Sequence, residues 1–220
     1  MNKFERFNND ILNNYSENII FNISPSSSFR SRCEFSYSNN SYVMHDKDQR
    51  IFMTSFDCAS KAIKRKMPIL LEEINSSNEI KEKLFQINFR SNSMNEVLVT
   101  LIYHRTVDEV LINSIDNLSN KIDIKTIIRS KNFTHAFDGH IFEDTLEFNN
   151  LKIYQTDNCF FQPNKYLLNK MINKVYDFVE NPEDLLELYC GVGTFTLPLS
   201  RTFKKVFATE NNRKADECLQ

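Results

Sequence analysis

The sequence predicts an α+β region over residues 1–155, followed over residues 156–220 by the opening part of an α/β domain. Three observations carry this reading. Apolar or alternating stretches at 32–37, 85–89 and 97–103 read as strands, with helix-spaced apolar residues before and after the last two. From Asn164 onward the order becomes helix, strand, turn, helix, strand. That turn holds two of the three glycines in the 220-residue chain.

The elements follow in order. Residues 24–29 form a turn-rich linker, after which Cys33, Phe35 and Tyr37 share one face of a first strand. Ala59, Ala62, Ile63, Met67, Leu70 and Ile74 recur at helical spacing over 58–74. Pro68 is expected to kink or end that helix, because it removes a backbone donor and crowds the preceding turn. Residues 85–89 alternate and 97–103 are continuously apolar, which makes them a hairpin of central strands. Val107, Val110, Leu111, Ser114, Ile115 and Leu118 outline a second helix face, and a strand is expected over 122–129. The whole region reads as α+β with antiparallel strands.

Beyond residue 155 the pattern changes. Asn164 can cap a helix carrying Leu167, Met171, Val175 and Phe178, which stops at Asn181-Pro182. A short apolar strand at 184–189, a glycine turn at 190–194, a helix from 195 and a second strand at 205–210 then open a Rossmann-like βαβ unit.

Composition bounds the function. With 41% hydrophobic and 25% charged residues, the chain reads as a globular protein with enough length for one large or two small cores. Its apolar runs fall well short of the roughly 20 residues of a membrane span. The start, MNKFERFNND, has no signal-peptide core, so a cytoplasmic location and no membrane partner are expected. Five cysteines (Cys33, Cys58, Cys159, Cys190, Cys218) are widely spaced without a CxxC pair, so free thiols are expected, with no metal and no iron–sulfur cluster. The net charge of -2 and a pI near 6.1 require any nucleic-acid site to be local. Residues 28–66 carry eight basic side chains against four acidic ones. A solvated helix face at 61–66 explains part of that excess equally well.

The chemistry concentrates at Cys190-Gly191-Val192-Gly193-Thr194. After a parallel strand, glycines allow a tight turn and close approach of a ligand, and the next helix presents free N–H groups. Glu210 ends the following strand 19 residues after Gly191, where a carboxylate can accept hydrogen bonds from two ribose hydroxyls. An ordinary strand-to-helix turn would explain the glycines alone; the added strand and terminal Glu favour a nucleoside site. Spacing alone leaves a nicotinamide cofactor and S-adenosylmethionine both open.

Residues Asn158-Cys159-Phe160-Phe161-Gln162-Pro163-Asn164, together with Leu185-Leu186-Glu187-Leu188-Tyr189-Cys190-Gly191, resemble the RNA uracil-5-methyltransferase family. Upstream, residues 29–35, 83–87 and 101–104 look like its tRNA-specific branch, so the resemblance runs from about residue 28 to the end. It implies S-adenosyl-L-methionine as cosubstrate, contacted by Gln162, Tyr189, Gly191, Thr194 and Glu210, with Thr194 standing where the family more often has asparagine. It also implies methylation of C5 of the T-loop uridine in tRNA, and it extends to transfer-messenger RNA. A monomer is expected. The cluster-binding cysteines and extra small β-barrel of ribosomal-RNA relatives are not found in this stretch, which favours tRNA by analogy.

For RNA, the matching segments supply Arg30, Arg32, Phe85, Gln86 and His104. Arginines would hold phosphates and an aromatic ring would stack on an unpaired base. Phe85 reads equally well as a core residue of an alternating strand, and His104 as a plain surface residue. Methylation of uracil C5 needs a thiolate that adds to C6 and a base. The resemblance places that nucleophile in a Ser-Cys-Asn-Pro segment that the 220 residues do not contain, so the chain is expected to be a C-terminally truncated and inactive part of the enzyme. Cys190 is read as a packing residue. The alternatives are a non-catalytic RNA-binding module and a ribosomal-RNA uracil-5-methyltransferase.

Overall fold

The computed structural model describes residues 3–12 and 19–219. Residues 1 and 2, part of the start read as lacking a signal core, lie outside them. After α1 (Lys3–Leu12) the chain forms a meander of β1 (Arg32–Ser38), β2 (Ser41–Asp46) and β3 (Gln49–Met53). Sequence periodicity marks only the first of these strands. The turn between β1 and β2 is Asn39-Asn40, with φ of 51° and 55°, the two left-handed residues of a tight hairpin whose twist suits the flanking strands.

Helix α2 (Lys61–Ser76) starts on Ser60, whose Oγ accepts the Ile63 N–H at 3.3 Å. Of the two expected outcomes at Pro68, a kink or an end, the end does not occur: burial of Ala62, Ile63, Met67, Leu70, Leu71 and Ile74 carries the helix through the proline. The Tyr42 hydroxyl adds a bond at 2.8 Å to the Met67 carbonyl. The short α3 (Asn78–Lys81) leads to β4 (Leu84–Ser91) and β5 (Val97–Tyr103), the expected central hairpin. Helix α4 (Glu109–Ile122) then crosses to β6 (Lys125–Ser130), which pairs with edge strand β7 (Phe133–Ala136). Ile122, expected to begin the strand, is the last buried residue of α4, and Asp123 ends the helix in the left-handed region at φ 53°.

The sheet order is β3-β2-β1-β4-β5-β6-β7. All neighbours are antiparallel except β5 and β6, where a crossover through α4 requires a parallel pair. Strand alternation gives the sheet two faces. Phe35, Ile87, Phe89, Val99 and Leu101 pack on α2 and α4 as the main core, whereas Arg32, Glu34, Gln86 and Asn88 lie on the opposite, more polar face.

A hairpin of β8 (Phe142–Leu146) and β9 (Leu151–Gln155) precedes α5 (Lys165–Asp177). Asn164 caps α5 as expected, its Oδ1 accepting the Tyr166 and Leu167 N–H groups at 3.2 and 3.3 Å. The buried face differs from the expected one: Leu168 and Ile172 are buried, while Met171, Val175 and Phe178 are exposed. The hairpin decides this, because Leu146 and Ile153 form a second core with Leu168, Ile172 and Val192. The chain continues through β10 (Asp184–Leu188), α6 (Thr196–Leu199), β11 (Lys205–Thr209) and α7 (Arg213–Asp216), with β10 and β11 parallel and Leu188 opposite Thr209. All five cysteines are free. Among the described residues, no helix is long and apolar enough to cross a membrane.

Candidate functional site

The glycine turn lies outside the carboxyl ends of β10 and β11, where open parallel sheets bind ligands. Its first residue, Tyr189, has φ 59°, rare for a bulky side chain, and is 78% exposed. The Cys190 N–H donates to the Thr209 carbonyl at 3.0 Å, locking the turn to β11. Gly191, at φ 60°, donates its N–H to Glu210 Oε2 at 2.8 Å, while the Asn212 N–H donates to Oε1 at 2.7 Å. These donors, Asn212 foremost and then Gly191, hold the Glu210 carboxyl below the usual carboxylate range despite a little burial. Gly193 has a packing role: a Cβ there would collide with the Leu219 side chain and lie 3.0 Å from Leu197 Cγ.

Leu188, Tyr189, Thr209, Glu210 and Asn211 line an open cleft of about 240 Å³. Glu210 accepts backbone N–H groups at both oxygens, and a carboxylate has about four lone-pair sites, so acceptor capacity remains for a hydroxyl donor. The exposed Tyr189 ring supplies an apolar wall. Thr194 is almost fully buried behind the turn. Gln162 is half-buried in the segment that passes the turn, where the Phe160 carbonyl would be 3.9 Å from a Cβ on Gly191. The structure therefore gathers Tyr189, Gly191 and Glu210 at one edge, with Gln162 on the adjoining segment. Cys190 is buried, and burial first, then Glu187 and Glu210, push its thiol pKa up, so the proton stays on.

The five residues read as RNA contacts fall into two groups. Phe85 occupies the bulge of β4 and is 43% exposed; its ring stacks on His104 with centroids 4.1 Å apart and planes at 16°. Gln86, next along β4, donates to Asn88 Oδ1 at 2.8 Å on the polar face. Arg30 and Arg32 lie elsewhere, lining a shallow cleft of about 340 Å³ with Phe160, Phe161 and Pro163. Arg32 donates to Glu34 Oε1 at 2.8 Å and to the Cys159 carbonyl at 3.2 Å, and Arg30 Nε reaches the Arg32 carbonyl at 3.4 Å. Of the basic residues at 61–66, Lys64 pairs with Asp57 at 2.8 Å and Lys66 donates to the Ile122 carbonyl at 2.5 Å, so that cluster is partly engaged locally.

Arg90 escaped the sequence reading. Buried on the polar face, it donates to Gln155 Oε1 at 2.7 Å, to the Asp157 carbonyl at 3.2 Å and to the Cys159 carbonyl. It thus fastens the large sheet to the segment bearing Gln162. Burial, then the nearby Arg32, lowers its pKa to about 10. In a strand of alternating residues nothing distinguishes such an arginine from an exposed one.

Residues 2–217 match the family described as tRNA (Uracil-5-)-methyltransferase. Over 200 residues the chain is 36% identical to the tRNA/tmRNA (uracil-C(5))-methyltransferase of Campylobacter lari, covering 87% of this chain and 57% of that protein. The enzyme of the same name from Aliarcobacter butzleri is 38% identical over 208 residues, covering 88% and 56% respectively. The chain therefore spans little more than half the length of these relatives. Among solved structures, the Pyrococcus abyssi tRNA (uracil-54, C5)-methyltransferase in complex with S-adenosyl-L-homocysteine has the same fold, with a TM-score of 0.68 at 18% identity, covering 87% of this chain and 51% of that one.

Proposed function

The chain belongs to the tRNA (uracil-5-)-methyltransferase family, and on that premise we propose that it serves transfer of a methyl group from S-adenosyl-L-methionine to C5 of the T-loop uridine of tRNA. Transfer-messenger RNA is the second substrate in this reading, as the names of the bacterial relatives suggest. The 220 residues contribute the RNA-recognition sheet and the first edge of the cosubstrate site.

The observation that carries the reading is the Glu210 carboxylate, fixed by Gly191 and Asn212 at the open ends of β10 and β11. The acceptor set fits a nucleoside: a carboxylate with lone-pair capacity left over, at an accessible edge beside the exposed Tyr189 ring. Glu210 would accept the ribose hydroxyls, Tyr189 would cover one side, and Gln162 would approach from the segment anchored by Arg90. S-adenosyl-L-methionine would supply an electrophilic methyl group there. On the RNA side, the Phe85–His104 stack would take an unpaired base, and Arg30 and Arg32 would hold phosphates near the 159–163 segment.

Titration of S-adenosyl-L-homocysteine into the chain by calorimetry tests the first half. Glu210→Ala should weaken binding by about tenfold or more, the worth of a charge-assisted hydrogen bond in a partly open site. Equal affinity would remove Glu210 from the site. A T-arm hairpin compared with a scrambled hairpin tests the second half, and equal affinity for both would sink specific recognition.

A further inference from the structure

A further cleft lies at neither of these places. It holds about 820 Å³ outside the carboxyl ends of the parallel strands β5 and β6, between residues 104–107 on one side and 130–133 on the other. Strand β5 is the point where connections diverge, with a hairpin to β4 on one flank and a crossover to β6 on the other, and crevices at such points are the usual binding places of open sheets. Its cations are unequally committed. Arg105 is paired with Glu79 and Glu82, and Arg129 with Asp157 at 3.0 Å, whereas exposed Lys131 enters no ion pair among the described residues. Phe133 is 38% exposed on edge strand β7, and its ring lies nearly parallel to His135 at 6.4 Å. His104 joins this cleft to the first aromatic pair, because it both lines the cleft and stacks on Phe85.

We propose that this cleft is a second RNA-contact site, in which Lys131 takes a backbone phosphate and Phe133 an unpaired base of the strand that leaves the Phe85–His104 pair. The inference rests on the reading of the chain as a tRNA-binding protein and extends it across the sheet end. A free nucleotide fits less well. Helix α4 begins just past the lining residue Val107, one of its orphan N–H groups, that of Leu111, is already met by Asp108 at 2.9 Å, and Glu109 stands in its first turn, so the helix start is poorly suited to a mobile phosphate. A strand held at the neighbouring aromatic pair brings its phosphates without that help. Aromatic rings flanking a lone exposed cation also suit a single-stranded loop, whose bases are free to stack.

The test is anisotropy of a labelled T-arm hairpin against the 220-residue chain at several salt concentrations, with Lys131→Ala, Phe133→Ala and, as a reference, Phe85→Ala. Lys131→Ala should bind about three- to tenfold more weakly and lower the salt slope by roughly one phosphate contact. Phe133→Ala should lose about fivefold or more with the slope unchanged, and Phe133→Tyr should restore binding. If the wild type binds and Phe85→Ala weakens it while both cleft variants match the wild type in affinity and slope, the second site is overturned and the RNA reading stands. Failure of the wild type to prefer the T-arm hairpin would overturn both. Melting temperatures of the variants, whose side chains are exposed, should equal that of the wild type; a fall would trace any loss to folding and count against the site.

Discussion

Glu210 accepts the N–H of Gly191 at 2.8 Å across 19 residues of chain, so the end of β11 and the turn after β10 hold each other. A group whose folded pKa is depressed contributes stability above its unfolded pKa, and that contribution is lost as pH falls through the folded value. Glu210 is such a group, lowered first by the Asn212 N–H. The Gly191 amide resonance should therefore shift in an acid titration with a midpoint below the ordinary glutamate value of about 4.3. A midpoint at or above that value would mean the carboxylate does not hold the turn.

Arg90→Ala should destabilise the protein by about 3 kcal/mol in urea melts, because it strips donors from three acceptors, Gln155, Asp157 and Cys159, at the joint between sheet and glycine-turn unit. Arg90→Lys keeps the charge without the planar fork and should recover only part of the loss. A melt for Arg90→Ala within 0.5 kcal/mol of the wild type would show that the joint does not depend on this side chain.

The thiols should separate by burial. Cys58 is half-buried and should react with a chromogenic disulfide in the native protein at pH 8, while Cys33, Cys159, Cys190 and Cys218 wait for unfolding. Burial pushes Cys33 up to about 12. A raised thiol pKa contributes stability in full below the unfolded value of about 8.5, and the contribution drains away as pH rises toward 12. Stability should fall across that window, and less so in Cys33→Ala once its lower baseline is subtracted. Rapid native labelling of four or five thiols would contradict this packing.

Much of this was legible in the chain. The Asn164 cap, the hairpin of 85–89 with 97–103 and the run of strand, glycine turn and Glu210 all follow from local rules of capping, alternation and spacing. The misses came where tertiary contacts outweigh local preference. Pro68 does not end α2 because six buried side chains hold the helix, and Leu168 and Ile172 displace Met171 and Val175 from the buried face because the β8–β9 hairpin packs there. Within the site, sequence named Phe85 and His104 separately but could not reveal that they stack. Arg90 carried no signal, since its burial depends on a segment 65 to 69 residues away.

On the proposed function, these 220 residues should bind tRNA and the cosubstrate, and their own thiols should support no methyl transfer. Uracil C5 attacks a methyl donor only after a thiolate has added to C6, so the chemistry requires a cysteine that is both ionised and within reach of the base. Cys190 is the thiol beside Glu210, and it fails on both counts: it is buried, and burial together with Glu187 and Glu210 keeps it protonated. Cys159 and Cys218 are sealed in the second core and Cys33 in the first. Cys58 is the half-exposed thiol, but it precedes α2 rather than lying on the glycine turn. Incubating the chain with tRNA lacking 5-methyluridine and methyl-labelled S-adenosyl-L-methionine, then counting label in the RNA, should give background, while the same preparation binds the T-arm hairpin. Incorporation that Cys190→Ser abolishes would show that the turn opens far enough to present a thiolate and that Cys190 is the nucleophile.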